Sequence, residues 1–291
     1  MNEARIFLQD LNGTFLCPGH DIHLSVLRLD AIDPVISGNK WYKLKYNLAE
    51  ARKQGFERIL TFGGAHSNHL IATAAVAKKF GFQSAGIVRG WHGAAQETPT
   101  LKACQEYGMT LHFVSREDYA RKTNPDFQLQ ILAQTGPAFI LPEGGQNEWG
   151  RKGAGEIAHF IPKETTHVCV SVGSGATFSG LRNALPAHQA LIGFAPFRQG
   201  NLMTQELKPL ITSEAPWTIT GAYHFGGFAK LNEMLKQFMQ QAEKEAALPL
   251  DRVYTAKMFW GIRDLITKGF FPPGSRIAGI HTGGLQGNGS T

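Results

Sequence analysis

The stretch ILTFGGAHSNHLIATAAVAKKF, residues 59–80, joins a short apolar run to a helical pattern through a loop that begins with two glycines. A strand that is apolar along nearly its whole length is typical of a sheet covered by helices on both faces. Further apolar runs begin at residues 84, 111, 137, 167, 190, 217 and 276, and helical patterns cover 69–80, 97–107, 149–160, 178–185, 198–212, 229–247 and 254–268. This alternation predicts parallel βαβ units and therefore an α/β fold.

Composition narrows the class of protein. With 291 residues, 43% of them hydrophobic and 18% charged, the chain can form one large or two ordinary domains with a sizeable core. The net charge of +6 comes from basic residues dispersed among acidic ones, which does not indicate nucleic-acid binding but is compatible with an anionic ligand.

Location and metal content can also be predicted. No apolar run has the length of a membrane span, and MNEARIFLQDLNG at the N-terminus lacks the apolar segment of a secretory signal. Cys17, Cys104 and Cys169 are odd in number and far apart, so we expect reduced thiols in a cytoplasmic protein that does not bind membranes. The 11 histidines form no HExxH motif, and we expect no metal site.

Ligands of open parallel sheets bind where the strands end and the next loops begin. Four such loops are rich in glycine: GGAHSNH (63–69), PEGGQN (142–147), GSGATFSG (173–180) and HTGG (281–284). Turn formation alone does not readily explain four glycine-rich loops at one sheet edge, so we expect the chemistry there.

The loop after residue 172 predicts an anion site. Small residues between a strand and a helix present free backbone N–H groups beside the positive end of a helix dipole. No Gly-Lys-Ser/Thr follows, and Gly180 comes too late for a dinucleotide fingerprint, so a phosphate monoester fits better. A plain strand-to-helix turn explains this loop equally well. Ser67 presents a similar choice, between capping a helix and holding a substrate carboxylate.

SGNKWYKLKYNL, residues 37–48, places Lys40 directly after Gly38-Asn39, at the entry to an amphipathic helix. The amine is either solvated, as most lysines are, or held inward for covalent chemistry. A Schiff-base amine, a cradle for one phosphate and a helix N-terminus for a carboxylate together indicate pyridoxal 5'-phosphate bound for amino-acid chemistry.

Five blocks of the chain, in order and between about residues 30 and 285, carry a specific resemblance. They read SGNKWYKLKYNL, GGAHSNHLIATAAVAKKFG, PEGGQNEWGRKGAGEI, SVGSGATFSGL and DRVYTAKMFWGIRDLITKGFFPPGSRIAGIHTGG. The chain resembles the 1-aminocyclopropane-1-carboxylate deaminase / D-cysteine desulfhydrase family of fold type II pyridoxal-phosphate enzymes.

The resemblance implies a set of cofactor contacts. Lys40 would be the Schiff-base lysine, and Lys43 would approach the phosphate or stabilise the site. Asn68 would bind the 3′-oxygen, and Thr282 would contact the pyridine nitrogen, with Thr255 as the alternative. The phosphate itself would be bound by Gly173, Ser174, Gly175, Ala176 and Thr177.

It also implies substrate contacts. Ser67 and the adjoining N–H groups, with Asn68 and His69, would hold the substrate carboxylate. Tyr254 would face the substrate and Tyr223 is a second candidate, although either tyrosine could instead be a core residue. Lys40, Ser67 and Tyr254 are the candidate catalytic residues.

Departures from the family pattern bear on the substrate. Family members that open the cyclopropane ring tend to have Ser-Asn-Gln where this chain has Ser-Asn-His at 67–69. They also tend to have Tyr-Glu where this chain has Tyr254-Thr255. A hydroxyl near the pyridine nitrogen suits elimination better than ring opening. Glu143 and the segment 224–230 also differ from the family pattern and leave the substrate open.

The resemblance implies two domains, each with a mostly parallel twisted sheet covered by helices, as in tryptophan synthase β. We expect a larger cofactor domain from 1–47 and 150–291, a smaller closing domain from 48–149, and a homodimer. The predicted activity converts a small amino acid to a 2-oxo acid and ammonia, most like D-cysteine desulfhydrase. The alternatives are 1-aminocyclopropane-1-carboxylate deaminase, a non-catalytic regulatory protein that binds the cofactor, and a nucleotide-binding α/β enzyme.

Overall fold

The computed structural model describes residues 1–18, 21–90 and 98–289. Its strands are β1 Leu8–Asp10, β2 His23–Arg28, β3 Arg58–Gly63, β4 Gln83–Arg89, β5 Met109–Val114, β6 Phe139–Leu141, β7 His167–Ser171, β8 Ala190–Phe194, β9 Trp217–Thr220 and β10 Arg276–His281. Its α-helices are α1 Asn39–Lys53, α2 Asn68–Lys79, α3 Pro99–Glu106, α4 Arg116–Ala120, α5 Pro125–Thr135, α6 Glu148–Gly155, α7 Ala176–Ala184, α8 Gly200–Leu207, α9 Glu233–Ala246 and α10 Thr255–Thr267. This is the α/β architecture that the sequence predicts.

The larger sheet has the order β1-β2-β10-β7-β8-β9. Its strands are parallel except β1, which pairs antiparallel with β2. The last strand therefore lies in the middle: Gly279 of β10 pairs with Val26 on one side and Cys169 on the other. This register brings the loop after β10 next to the loop after β7, because parallel strands end at the same edge.

The smaller sheet has the order β5-β4-β3-β6 and is parallel throughout. β3 is central, paired with β4 over its whole length and with β6 through Ile59 to Thr61. The loop that follows β3, which carries Ser67, therefore emerges between those of two neighbouring strands.

Helices cover both faces of the larger sheet because successive strand residues point to opposite sides. Cys169 and Ile277 pack in one apolar cluster with Phe259 of α10. Their neighbours Val168 and Ala278 belong to a second cluster that includes residues of α1 and α7. Burial on both faces explains why these strands read as continuous apolar runs.

Several elements differ from the prediction. β2 reads HLSVLR, and its polar residues break the apolar pattern by which the other strands are recognised. Its burial comes from the elements that pack beside it in the fold. α9 begins at Glu233 rather than at the predicted 229, because the side chain of Asn232 accepts the N–H of Leu235 and caps the helix. Met234 fits the three- and four-residue spacing of the apolar side chains in this helix, but it is 49% exposed.

All strands of the smaller sheet come from residues 58–141. The predicted boundary between 47 and 48 falls inside α1, and both domain boundaries stay predictions. Among the described residues, no helix combines the length and apolar character that crossing a membrane requires.

Candidate active site

The start of α1 is locked to the loop after β10. Gly38 has φ +62, and a Cβ on it would lie 2.0 Å from the carbonyl oxygen of Thr282. Gly283, at φ +77, would similarly place a Cβ 2.3 Å from Ser37 Oγ. Only glycine permits this approach of two backbones. The Gly-Asn turn therefore sets where the next residue, Lys40, enters the site.

Asn39 links the candidate Schiff-base lysine to the candidate phosphate loop. Its Oδ1 accepts a hydrogen bond of 2.8 Å from Lys40 Nζ, and its Nδ2 donates one of 2.8 Å to Thr177 Oγ1. No motif in the sequence marks Asn39 for this role, because its partner Thr177 lies 138 residues away.

Two lysines of α1 have side-chain amines with lowered pKa values. Desolvation lowers the pKa of Lys40 to about 8, with nearby Asp251 acting in the opposite direction. Lys43, one turn later, is 5% exposed, and its pKa is lowered well below the usual value by burial and by the charge of Lys40. Both amines therefore lose their protons more readily than a solvent-exposed lysine does.

The candidate phosphate loop leads into α7. Gly175 precedes the helix with φ +86, and no side chain caps this helix. The first N–H groups of α7 therefore remain available for an anion. Ser174 Oγ donates to Gly144 O at 3.3 Å, which joins this loop to the loop after β6.

The loop after β3 places Ser67 as the cap of α2. Its Oγ accepts the N–H groups of His69 and Leu70, at 3.2 and 3.3 Å. Asn68 Oδ1 is buried and has no hydrogen-bond partner in the described parts of the chain. Asn68 Nδ2 lies near Gly284, where a Cβ would come within 3.0 Å of it.

His69 points into the smaller sheet. Its Nε2 lies 2.9 Å from Thr61 Oγ1, and because the Thr61 hydroxyl donates to Leu141 O, this nitrogen is the donor. Burial lowers the pKa of His69 well below its usual value, and the charges of Lys43 and Lys40 lower it further. His69 is therefore a neutral, buried side chain beside the lysines, and its contact with a substrate stays a prediction.

Tyr254 lies against the candidate phosphate loop. A Cβ on Gly173 would come within 3.2 Å of its ring, and burial raises the pKa of its hydroxyl, with Asp251 and Glu143 adding to the effect. The ring of Phe228 meets it edge-on at 6.0 Å. Tyr254 thus lies between the phosphate loop and the segment 224–230.

Tyr223, the less secure candidate, has other partners. Its hydroxyl donates to Asp264 at 2.8 Å, and its ring packs against Trp260. Phe228, not Tyr223, is the aromatic residue that contacts Tyr254. No contact of the described residues favours a substrate role for Tyr223, which stays a prediction.

The two candidate threonines also differ. The Thr255 hydroxyl accepts the N–H of Asp251 at 2.7 Å and is fully buried. Thr282 is 6% exposed, and its carbonyl accepts the N–H of Asn39 at the start of α1. Thr282 therefore remains the better candidate for a cofactor contact.

Asp251 is a site residue that the sequence analysis missed. It is 1% exposed, and its Oδ1 accepts the N–H groups of Tyr254 and Thr255 at 2.6 and 3.2 Å. Its Oδ2 has no hydrogen-bond partner among the described residues. Burial raises its pKa, and Lys40 acts in the opposite direction. An acid just before a helix is a recognisable capping signal, but its proximity to Lys40 is not.

Comparisons with known proteins bear on the family and the fold of the chain. The family model described as pyridoxal-phosphate dependent enzyme matches residues 19–283. A crystal structure of an ACC deaminase homologue superposes with a TM-score of 0.82 at 26% identity, covering 98% of this chain and 90% of that one. The O-ureido-L-serine synthase structure, at 13% identity and a TM-score of 0.70 over 99% and 91% of the two chains, shares the fold.

Two curated proteins extend the comparison. A Pyrococcus horikoshii protein, named provisionally as a 1-aminocyclopropane-1-carboxylate deaminase, is 29% identical over 92% of this chain and 86% of its own. D-cysteine desulfhydrase of Salmonella paratyphi A is 28% identical over 92% and 88%.

Proposed function

The chain belongs to the pyridoxal-phosphate-dependent enzymes, within the 1-aminocyclopropane-1-carboxylate deaminase / D-cysteine desulfhydrase family, and we propose that it converts a small amino acid to a 2-oxo acid and ammonia by elimination, most like D-cysteine desulfhydrase. The second candidate is cyclopropane ring opening, which the name of the Pyrococcus horikoshii relative favours. A regulatory protein that binds the cofactor without turnover is the third.

The side chains fit the cofactor. Lys40 supplies the amine, the uncapped start of α7 suits the phosphate, and the buried, unpartnered Asn68 Oδ1 leaves a polar atom for a bound group. Thr282 and the Gly173–Thr177 loop complete the proposed set of contacts. When bound, pyridoxal phosphate withdraws electrons from the substrate Cα and makes its proton acidic.

Lys40 is the proposed base. A pKa of about 8 keeps a useful fraction of Nζ unprotonated near neutral pH, so that Nζ can accept the Cα proton. Asn39, bonded to both Lys40 and Thr177, holds Nζ at a fixed place relative to the phosphate loop. The start of α2, with Ser67, is the proposed seat of the substrate carboxylate. Tyr254, which lies against the phosphate loop, is the proposed second proton donor or acceptor.

One observation carries the preference for elimination over ring opening. Position 255 holds a threonine, so it offers no carboxylate to the pyridine nitrogen. The hydroxyl of this threonine already accepts the backbone N–H of Asp251. A hydroxyl partner at Thr282 leaves the ring nitrogen less protonated than a carboxylate would, which suffices for loss of a good leaving group.

The experiment is a substrate panel on purified protein supplemented with the cofactor. D-cysteine, L-cysteine, D-serine, β-chloro-D-alanine and 1-aminocyclopropane-1-carboxylate are assayed for 2-oxo acid and ammonia. We expect D-cysteine or the chloro compound to react fastest. If the cyclopropane is the best substrate, the argument from Thr255 fails, and if none reacts although the cofactor binds, the regulatory alternative is favoured.

Cofactor attachment is tested separately by absorbance. We expect a visible band that borohydride or Lys40→Ala removes. The matched control is Lys53→Ala, which removes an amine that is 78% exposed at the other end of α1 and should retain the band. Retention of the band in Lys40→Ala would rule out Lys40 as the attachment site.

A further inference from the structure

A cavity of about 500 Å³ opens at the carboxyl edge of the smaller sheet. It is lined by Arg89, Arg116, Tyr119, Ala120, Lys122 and Glu143. Its volume lies within the range of small-molecule sites. Three cations and one carboxylate line it, so its walls carry a net positive charge.

The lining residues come from the ends of neighbouring parallel strands. Arg89 is the last residue of β4, Arg116 begins α4 just after β5, and Glu143 follows β6. Such strand ends are where open α/β sheets bind their ligands. The placement is therefore that of a ligand site rather than of a random surface patch.

The charges in the cavity are only partly compensated. Lys122 pairs with Glu143 at 3.5 Å, whereas neither Arg89 nor Arg116 has an ion pair among the described residues. Arg89 and Lys122 both lie against the ring of the buried Tyr119, with centroid distances of 5.7 and 5.1 Å. Stacking on an aromatic ring holds a guanidinium in place and lowers the cost of ordering it on a ligand.

The cavity adjoins the proposed active site through two loops. A Cβ on Gly64, in the loop that leads to Ser67, would lie 3.6 Å from Arg89 Nη2. Gly144, next to Glu143, is hydrogen-bonded to Ser174 of the phosphate loop. A molecule held at Ser67 could therefore extend a second group towards the arginines.

We infer that this cavity binds a second anionic group, so that the site accepts, beside the neutral amino acids proposed above, small amino acids whose side chain ends in a carboxylate, sulfonate or phosphate. This inference rests on the proposed function for the placement of the substrate's own carboxylate at Ser67. Guanidinium groups match the geometry of such anions with paired hydrogen bonds.

The test is calorimetric binding to the cofactor-supplemented protein, which needs no turnover. Each acidic amino acid is compared with its neutral isostere, aspartate with asparagine and glutamate with glutamine, in both hands. We expect at least one acid to bind about tenfold tighter than its amide, the size of effect that one charge-assisted hydrogen bond gives. In Arg116→Ala this preference should fall to about twofold or less.

Arg121→Ala is the matched control. Arg121 lies just after α4, is 48% exposed and pairs with Asp118, so its loss changes the same net charge without touching the cavity lining. It should keep the preference for the acid. A preference that Arg121→Ala abolishes as fully as Arg116→Ala would overturn the inference, because long-range charge alone would then explain it.

Inorganic sulfate distinguishes a free anion from the substrate's own group. If sulfate binds in an Arg116-dependent manner but no acid exceeds its amide, the assignment to the substrate is wrong. Equal binding of acids and amides without any sulfate binding also overturns it. Failure of the proposed function would show in two other measurements: the visible absorbance band would be absent, or no compound of the substrate panel would give a 2-oxo acid.

Discussion

At the scale of single residues, the site depends on placing one amine where water is scarce. Lys40 Nζ has a pKa near 8 because burial disfavours its charge, and Asp251 keeps it from falling further. Both residues are held by backbone contacts. The first is held by the turn that Gly38 permits, and the second by two N–H groups at the start of α10. Two substitutions separate these contributions.

Replacing Gly38 by alanine should be far more costly than replacing Gly55. Both glycines have positive φ, +62 and +79, but a Cβ at Gly55 meets nothing within 4 Å, whereas at Gly38 it would overlap the Thr282 carbonyl. Gly55→Ala should lower the free energy of unfolding by about 1–2 kcal/mol, the cost of the left-handed backbone alone. Gly38→Ala should lower it by at least about 3 kcal/mol, because overlap adds to strain. Urea denaturation measures both, and equal losses would contradict the interlocked loops.

Replacing Asp251 by asparagine should lower the pKa of Lys40 below about 8. The variant keeps an oxygen to cap α10 but removes the carboxylate that raises the affinity of Lys40 for its proton. Reductive ¹³C-methylation of the cofactor-free protein, followed by NMR titration, reads this pKa without turnover. Asp264→Asn, at a carboxylate engaged with Tyr223 and Lys268, is the control and should leave it in place. An unchanged or raised pKa in Asp251→Asn would refute the coupling.

At the scale of elements, α10 and the segment 224–230 act together. Lys257 of α10 is 2% exposed, and its Nζ donates to the carbonyls of His224 and Gly227 at 2.9 and 2.8 Å. Phe225 and Ala229 have φ of +49 and +57, so the segment is held in a conformation that side chains rarely adopt. The strain is tolerated because Lys257 and the contact of Phe228 with Tyr254 fix it from two sides.

Lys257→Met should release this segment. Two partly buried carbonyls would lose their donor, at a cost of about 1–3 kcal/mol in local stability. Amide hydrogen exchange in 224–230 should therefore become faster, while exchange in β7 and β10 should change little. Lys236→Met on α9, where the side chain is 52% exposed, is the control. Unchanged exchange in 224–230 would show that other contacts hold the segment.

The elements that the sequence predicts are those whose own residues form a clear apolar pattern. β7 and β10, covered on both faces, read as apolar runs, and α10 carries its own periodic stripe. β2 and α5 were not predicted, since their burial follows from neighbours that the pattern does not reveal. Likewise Lys40 and Ser67 stand out by their loops, whereas Asn39 and Asp251 matter through partners distant in sequence.

At the scale of the whole molecule, loops at the carboxyl ends of the two sheets contact one another, and His69 and His281 are buried beside them. Burial is the first cause that lowers the pKa of His69, His112, His167 and His281. His281 is fully buried: it lies 2.7 Å from Pro249 O through Nε2, and its Nδ1 accepts the N–H of Gly283. These bonds suit the neutral ring and hold the loop after β10 beside Lys40.

The stability of the protein should therefore decrease as the pH falls below 6.5, the ordinary histidine pKa. In the folded state the buried rings of His69 and His281 resist protonation, whereas in the unfolded state they bind protons, so each of these two groups lowers the stability by about 1.4 kcal/mol per pH unit until its folded pKa is reached. His112 and His167 are partly exposed and contribute less. Asp251, with its raised pKa, acts in the opposite sense but is a single group against the two buried histidines, His69 and His281.

Urea unfolding between about pH 7.5 and pH 5 measures this dependence. His69→Gln keeps an N–H for Thr61 and removes one titrating ring, so its slope should be smaller than that of the parent protein by up to one proton. His159→Gln, at an exposed histidine, controls for loss of a surface ring. Stability that rises as the pH falls through this range would show that Asp251 and other acids outweigh the buried histidines.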